Sequence, residues 1–292
     1  MKRVLVTGAS GMLGTDVVKV FSEGYHVSAL SRRDLDITNP QDVKHAMESL
    51  SPEIVINCAA FTKVDDCESR PETAFEVNSA GPKLLAHECR ALNALLVHIS
   101  SDYVFDGSGK RPYREDDKPC PINVYGRSKL NGETFVREIL TDHLIVRTSW
   151  LFGPNGPNFI DTVIRLSATR KELRVVNDQY GSPTYTMDLA KGLRCLVEKG
   201  ARGLCHCTNI GSCTWFDLCK FVFNRMGISD ICLVPVPTRS FPRPAKRPAF
   251  SVLDNTRFQQ LTGRKMRFWQ EAVLEFLVNR DPNSIGSKAQ DE

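Results

Sequence analysis

Hydrophobic positions in the first half of the chain alternate between two arrangements. Short continuous apolar runs, RVLVT (3–7), HVSAL (26–30), EIVINCAA (53–60), LLVHIS (95–100) and HLIVRTS (143–149), predict buried strands. Between them, apolar residues recur three or four apart and predict helices over 12–23, 40–50, 72–92 and 122–140. Pro40 suits a helix start, whereas Gly81–Pro82 reads as an interruption of the third helix. Strands with near-continuous apolar runs, alternating with helices, predict a parallel sheet covered on both faces. Crossovers in such sheets are right-handed, so the expected fold is α/β, a Rossmann-type doubly wound sheet.

The pattern loosens after residue 150. Helical spacing recurs at 159–168, 187–199, 214–226 and 267–278, with short strand candidates at 174–176, 203–207 and 232–234. PVPTRSFPRPAKRP (235–248) reads as a proline-rich loop. The expected organisation is a dinucleotide-binding domain over 1–150, to which segments near 170–200 return. A smaller substrate-binding α/β domain is expected over 151–282, and a disordered tail over 283–292.

Composition narrows the function classes. The chain is 41% hydrophobic and 25% charged, ordinary for a globular protein. A net charge of +4, spread along the chain, argues against a nucleic-acid partner. No run of about 18 apolar residues occurs, so no membrane span is expected. MKRVLVTGAS enters a strand directly and lacks the apolar region of a signal peptide, which predicts a cytoplasmic protein. Ten cysteines include no Cys-x-x-Cys pair, and Cys205 and Cys207 flank His206 in a predicted strand. They read as small buried thiols in a reducing compartment, with no metal site.

VLVTGASGMLG sets Gly8, Gly11 and Gly14 three apart between a strand and a helix. Such a turn needs glycine backbone freedom, and a pyrophosphate approaches closely only where no side chain intrudes. The helix N-terminus behind it offers free N–H groups. Gly8, Gly11, Met12, Leu13 and Gly14 are therefore expected against a dinucleotide. At the end of the second strand, Ser31 and Arg32 precede Asp36 and Ile37. Arginine there suits a ribose 2′-phosphate, so NADPH is expected, with NADH possible. Small residues at Cys58, Ala59 and Ala60 would let the adenosine and diphosphate pass close to the third strand.

Chemistry gathers at the carboxyl edge of such a sheet. Ser101 ends the fourth strand there, and Tyr125 and Lys129 lie one turn apart on the following helix. Ketone reduction needs a hydride at carbon and a proton at oxygen. A phenol with pKa about 10 is a reluctant acid. An ammonium about 5 Å away, at an effective dielectric of about 20, would favour the phenolate by roughly 3 kcal/mol, or about two pKa units. Ser101 would hydrogen-bond the carbonyl oxygen.

These stretches, with INCAAFTKVDDCE, ISSDYVFDG, RTSW, NDQYGSPTYTMDLA and PAKRPAFSVLD, resemble the dTDP-4-dehydrorhamnose reductase family of extended short-chain dehydrogenases/reductases over most of the chain. The resemblance implies Tyr125 as proton donor, Lys129 orienting the nicotinamide ribose and Ser101 in a place where many members have threonine. Ser101, Asp102, Tyr125, Trp150 and Arg247 would meet the substrate, with Trp150 near the sugar and Arg247 facing the diphosphate. Cys58 stands where alanine is usual. Some members are magnesium-linked dimers held through glutamates, but the corresponding places here are Asp16 and Met187, so no specific Mg2+ site is expected. The implied reaction is reduction of the 4-keto group of dTDP-4-dehydro-L-rhamnose to dTDP-L-rhamnose, a dTDP-4-keto-6-deoxy nucleotide-sugar substrate, by a monomer or homodimer. Two alternatives share the fold: the non-catalytic regulatory β subunit of methionine adenosyltransferase, and a nucleotide-sugar epimerase or dehydratase that recycles its NAD.

Overall fold

In the computed structural model, which describes residues 1–280, the alternation of the first half becomes a regular winding. β1 (Arg3–Thr7), α1 (Met12–Phe21), β2 (His26–Leu30), α2 (Pro40–Leu50) and β3 (Ile54–Asn57) come first. α3 (Val64–Ser69), α4 (Pro71–Phe75), α5 (Gly81–Leu92), β4 (Leu95–Ser101), α6 (Val124–Ile139) and β5 (His143–Thr148) follow. The chain goes on through β6 (Leu151–Phe152), α7 (Phe159–Ser167), β7 (Glu172–Val176), β8 (Tyr180–Gly181), β9 (Thr184–Tyr185) and α8 (Thr186–Glu198). It ends with β10 (Gly203–His206), β11 (Cys213–Thr214), α9 (Trp215–Met226), β12 (Cys232–Val236), α10 (Thr256–Thr262) and α11 (Trp269–Asn279).

Six strands form one parallel sheet in the order β10-β5-β4-β3-β1-β2. Period-two alternation divides each strand between two cores. Val4 and Val6 face α1 and α8, packing with Val17, Phe21, Leu189 and Leu193. Leu5 faces the opposite layer with Met47, Leu85 and Leu96. The chain turns in opposite directions from β1 to β2 and from β2 to β3, so a crevice opens beyond the carboxyl ends of β1 and β3. A third core, with Ile160, Val163, Val175, Val222, Val273 and Phe276, joins α7, β7, α9 and α11.

The structure differs from the sequence expectation in instructive places. Gly81–Pro82 interrupts nothing: α4 runs into a π-helical stretch, Glu76–Ala80, and on into α5, with proline in that helix's first turn. The wider turn accommodates the missing proline N–H. Pro235 and Val236 belong to β12 rather than to a loop, because β12 pairs only with β7 and an edge strand tolerates a missing donor. The last helix starts at Trp269, since Ile210 pairs its backbone with Arg267 and Trp269 on either side of Phe268. α3 and α10 are too short for periodicity to reveal. Residues 281–292, on which the expected tail falls, lie outside the described residues. Among the described residues no helix is long and apolar enough to cross a membrane.

Candidate active site

The glycine turn is built by close backbone approach. Gly8 has φ +64°, and a Cβ there would lie 2.7 Å from the Ala59 nitrogen. A Cβ on Gly14 would lie 2.2 Å from the Gly8 carbonyl oxygen. Only hydrogen fits at either place, which brings α1 and the β3 edge against the turn. Gly11 caps α1 without a side-chain bond, so the first N–H groups of that helix have no side-chain acceptor. This bare cradle fits a pyrophosphate.

A cavity of about 210 Å³ lies beside the cradle, lined by Gly8, Arg32, Asp36, Ile37, Ala59 and Ala60 among others. Asp36 Oδ1 accepts bonds from the backbone and hydroxyl of Thr38, which hold its carboxyl below the usual range. Ser31 does not line this cavity. Its hydroxyl donates to Asp34 at 2.6 Å, closing a local turn. Gly11, Cys58 and Ala60 continue into a second cavity of about 410 Å³, which also takes in Met12, Leu13 and Gly14. Burial pushes the Cys58 thiol up to about 12, so it is an inert wall.

Tyr125, Lys129, Ser101, Asp102 and Trp150 line that second cavity together. Ser101 ends β4 and Asp102 follows it, Tyr125 and Lys129 share α6, and Trp150 lies between β5 and β6. Asn123 caps α6, accepting from the Gly126 N–H at 2.7 Å, and this fixes the first turn that carries Tyr125. The Tyr125 ring meets Tyr103 edge-on at 5.8 Å. Ser101 Oγ accepts from the Tyr103 N–H and donates to Asp102 Oδ1 at 2.9 Å. Lys129, only 2% exposed, donates to the Ile99 carbonyl at 2.7 Å.

The electrostatics correct one expectation. Burial raises the Tyr125 phenol above its ordinary value, the Ser101 hydroxyl opposes the rise, and Asp102 adds to it. Lys129 is not among the groups that move the phenol, and its ammonium donates to the Ile99 carbonyl. Burial instead brings Lys129 itself down to about 8, while the charge of Glu133 works the other way. Burial also brings Asp102 up to about 7, and its Oδ2 has no partner.

That last shift gives a stability prediction. A carboxyl with a folded pKa raised above its unfolded value binds more protons in the native state between about pH 4 and 7. Its ionisation therefore costs native stability as pH rises through that window. Asp102→Asn removes this term, so thermal unfolding should favour the variant increasingly from pH 4 to pH 8, by up to about 4 kcal/mol. A parallel pH dependence in both proteins would contradict the shift.

Trp150 has φ +47°, an uncommon conformation for a bulky residue. Its indole stacks on Trp215 at 3.5 Å and 4°, and a Cβ on Gly181 would strike it. Trp215 and Tyr103 form the wall shared with a third cavity of about 960 Å³. Arg170, Arg174, Arg239, Arg243, Lys246 and Arg247 line this basic space. Arg247 enters it as a paired group, with its guanidinium bidentate on Asp65 at 2.5 and 2.8 Å. Trp215 and the other arginines escaped the sequence reading. Arg239, Arg243 and Lys246 stood in the basic proline-rich segment, but nothing in their spacing marked a shared cavity.

Cys205, His206 and Cys207 are all buried. Among the described residues no group of three or more His, Cys, Asp or Glu is placed to hold a metal ion. Asp16 is buried and accepts from the Thr186 hydroxyl at 2.5 Å.

A family model described as RmlD substrate binding domain matches residues 1–281. The chain belongs to the RmlD substrate binding domain family. A Streptomyces griseus relative of this RmlD-family chain, called dTDP-4-dehydrorhamnose reductase, is 44% identical over 94% of this chain and 92% of its own. A Streptomyces niveus relative called dTDP-4-keto-6-deoxy-D-glucose reductase is 40% identical over 96% and 98%. The crystal structure of dTDP-4-dehydrorhamnose reductase from Bacillus anthracis, in complex with NADP, superposes with a TM-score of 0.92. It is 39% identical and covers 95% of this RmlD-family chain and 99% of its own.

Proposed function

We propose that the protein reduces the 4-keto group of dTDP-4-dehydro-L-rhamnose to dTDP-L-rhamnose with NADPH. The observation that carries this is a single cavity lined by the phenol of Tyr125, the ammonium of Lys129 and the hydroxyl of Ser101. It opens on one side to the glycine cradle and on the other to a basic space. Full-length kinship with reductases of dTDP-4-keto sugars supports the same reading. Residues of the sheet-forming first half then act as the dinucleotide-binding part, and most of the second half as a substrate cap.

Gly8, Gly11, Met12, Leu13 and Gly14 would hold the cofactor's pyrophosphate, with Arg32 and Asp36 at the adenosine ribose and Cys58, Ala59 and Ala60 alongside. Bound NADPH supplies the hydride to C4. Tyr125 would give its proton to the carbonyl oxygen, which stays on C4 as the new hydroxyl, so little charge builds on that atom. Ser101, whose one hydroxyl proton goes to Asp102 Oδ1 in this structure, would turn it to the carbonyl oxygen and fix that atom by a hydrogen bond. Lys129 orients the nicotinamide ribose from its anchor on Ile99. The stacked indoles of Trp150 and Trp215 form an apolar wall beside the sugar. The arginines of the third cavity suit the diphosphate, since a guanidinium fork matches phosphate oxygens.

The test is nicotinamide absorbance, followed after adding a panel of nucleotide-4-keto sugars with NADPH or NADH. One NADPH consumed per sugar reduced is expected, fastest with the dTDP-linked 4-keto-6-deoxymannose. No oxidation with any sugar would overturn the reading and leave a regulatory subunit. Arg32→Glu should raise the KM for NADPH by roughly 10- to 100-fold and leave that for NADH nearly unchanged. Equal effects on both cofactors would remove Arg32 from 2′-phosphate recognition.

A further inference from the structure

We propose that Ser100, Glu133 and Arg147 form a buried clamp that positions the catalytic groups by locking β4, α6 and β5 together. Arg147 Nε and Nη2 meet the two Glu133 oxygens at 2.9 and 2.7 Å, and Ser100 Oγ donates to Glu133 Oε1 at 2.5 Å. Glu133 is fully buried and Arg147 is 1% exposed. Ser100 lines the second cavity, whereas Glu133 and Arg147 line none of the three, so that pair acts through its neighbours.

Those neighbours are the chemistry. Tyr125, Lys129 and Glu133 are four apart on α6, so they stand in one row along the helix. On β4, Ser100 sits between Ile99, whose carbonyl receives Lys129, and Ser101. On β5, Arg147 is the register partner of Ser100. The clamp thus fixes the helix bearing the phenol and ammonium against the strand end bearing their two partners. A buried ion pair is poor value for stability alone, because desolvation offsets most of its attraction. Retaining one directly behind the site fits a positioning role, as does its geometry. One guanidinium nitrogen, Arg147 Nη1, even stays without a partner.

The clamp also sets the field at Lys129. The groups around that ammonium are the Ile99 carbonyl and His98 on β4, Cys58 beyond β3, and Tyr125 and Glu133 on its own helix, with Arg147 of β5 on the Glu133 carboxylate. His98 is kept neutral by burial and Cys58 is a thiol, so the charged pair decides the balance. Glu133 favours the ammonium, and the Arg147 guanidinium, bidentate on that carboxylate, should offset part of its pull.

The experiment compares pH profiles of kcat/KM for the NADPH-bound enzyme and its Glu133→Gln and Arg147→Gln variants. Activity needs charged Lys129, so it falls as pH rises through the lysine pKa. The alkaline limb should move to lower pH in Glu133→Gln and to higher pH in Arg147→Gln, by roughly half to one unit each. In both, kcat should fall about tenfold while the KM for NADPH stays within about twofold. Limbs that stay put, or move the same way, overturn the proposal, since a purely structural pair would not produce opposite signs. If either charge variant fails to fold, Ser100→Ala decides: a several-fold loss of kcat with unchanged melting supports the clamp, and unchanged kcat overturns it. The inference rests on the reductase reading. Absent turnover by the unsubstituted chain sinks that reading, whereas normal turnover without the shifts sinks the clamp alone.

Discussion

Replacing Tyr125 with phenylalanine is expected to lower kcat about a thousandfold while leaving NADPH binding intact. The size follows from the role: a positioned general acid contributes some 10²- to 10⁴-fold, or about 4 kcal/mol of barrier at the middle of that range. The clean separation follows from the surroundings. Phenylalanine keeps the ring, and with it the edge-on contact to Tyr103 at 5.8 Å and the first turn of α6 capped by Asn123. Only the oxygen disappears, and with it the hydrogen bond to Ser101. The glycine cradle and the Arg32 end of the groove contain no atom of Tyr125. Single-turnover reduction measures the loss, and quenching of tryptophan fluorescence by NADPH measures binding. A variant that keeps a tenth of the parental kcat would remove the phenol from the proton path.

Much of this arrangement could be read in the sequence, and the reason is chemical periodicity. β1, β3 and β4 carry near-continuous apolar runs because they are buried on both faces, and that signal is short-range. The glycine turn is legible because three glycines between a strand and a helix have a steric cause. Tyr125 and Lys129 share a helix face by arithmetic, and Ser101 ends a strand, so all three could be sent to the same sheet edge. What sequence could not give was the partner of each charge. Lys129 turns to the backbone carbonyl of Ile99, thirty residues away, and Arg247 pairs with Asp65 from the other end of the chain. Both contacts depend on tertiary placement, and both alter the electrostatics. The same holds for Trp215. Its indole matters because a left-handed backbone at Trp150 turns the neighbouring ring flat against it, and nothing local announces that conformation.

The three cavities also divide the recognition problem. Gly11, Cys58 and Ala60 join the first to the second, and Tyr103 and Trp215 join the second to the third. One elongated groove therefore runs from the Arg32 end, across the phenol, to the arginine-rich space. Charge is concentrated at its far end and aromatic surface at the joint. A substrate with an anionic linker and a partly apolar sugar matches that order. The glycine positions keep the groove open, and one of them governs the catalytic distance itself.

Gly126 is that residue, and Gly126→Ala is expected to be the most damaging single-methyl change near the site. On propensity alone the substitution should help, because alanine favours a helix over glycine by about 1 kcal/mol. Packing decides the opposite. A Cβ at Gly126 would lie 2.0 Å from the Tyr103 carbonyl oxygen, 2.9 Å from its carbon and 3.0 Å from Pro121 Cβ. The first two are backbone atoms and cannot rotate away. The Tyr103 peptide belongs to the turn that follows Ser101, and its N–H bonds the Ser101 hydroxyl. Relief of the clash must therefore move α6, with Tyr125 on it, away from Ser101 and Asp102. Displacement of a reacting group by about 1 Å can cost 100-fold in rate, and overpacking of this kind costs about 1–3 kcal/mol of stability. The expected result is a kcat at least about 100-fold lower, together with a reduced melting temperature. Arg127→Ala, at the adjacent exposed position, should show neither effect and serves as the control. If Gly126→Ala turned over like the parent, the close approach of α6 to the Ser101 turn could not be what sets the distance between phenol and hydroxyl.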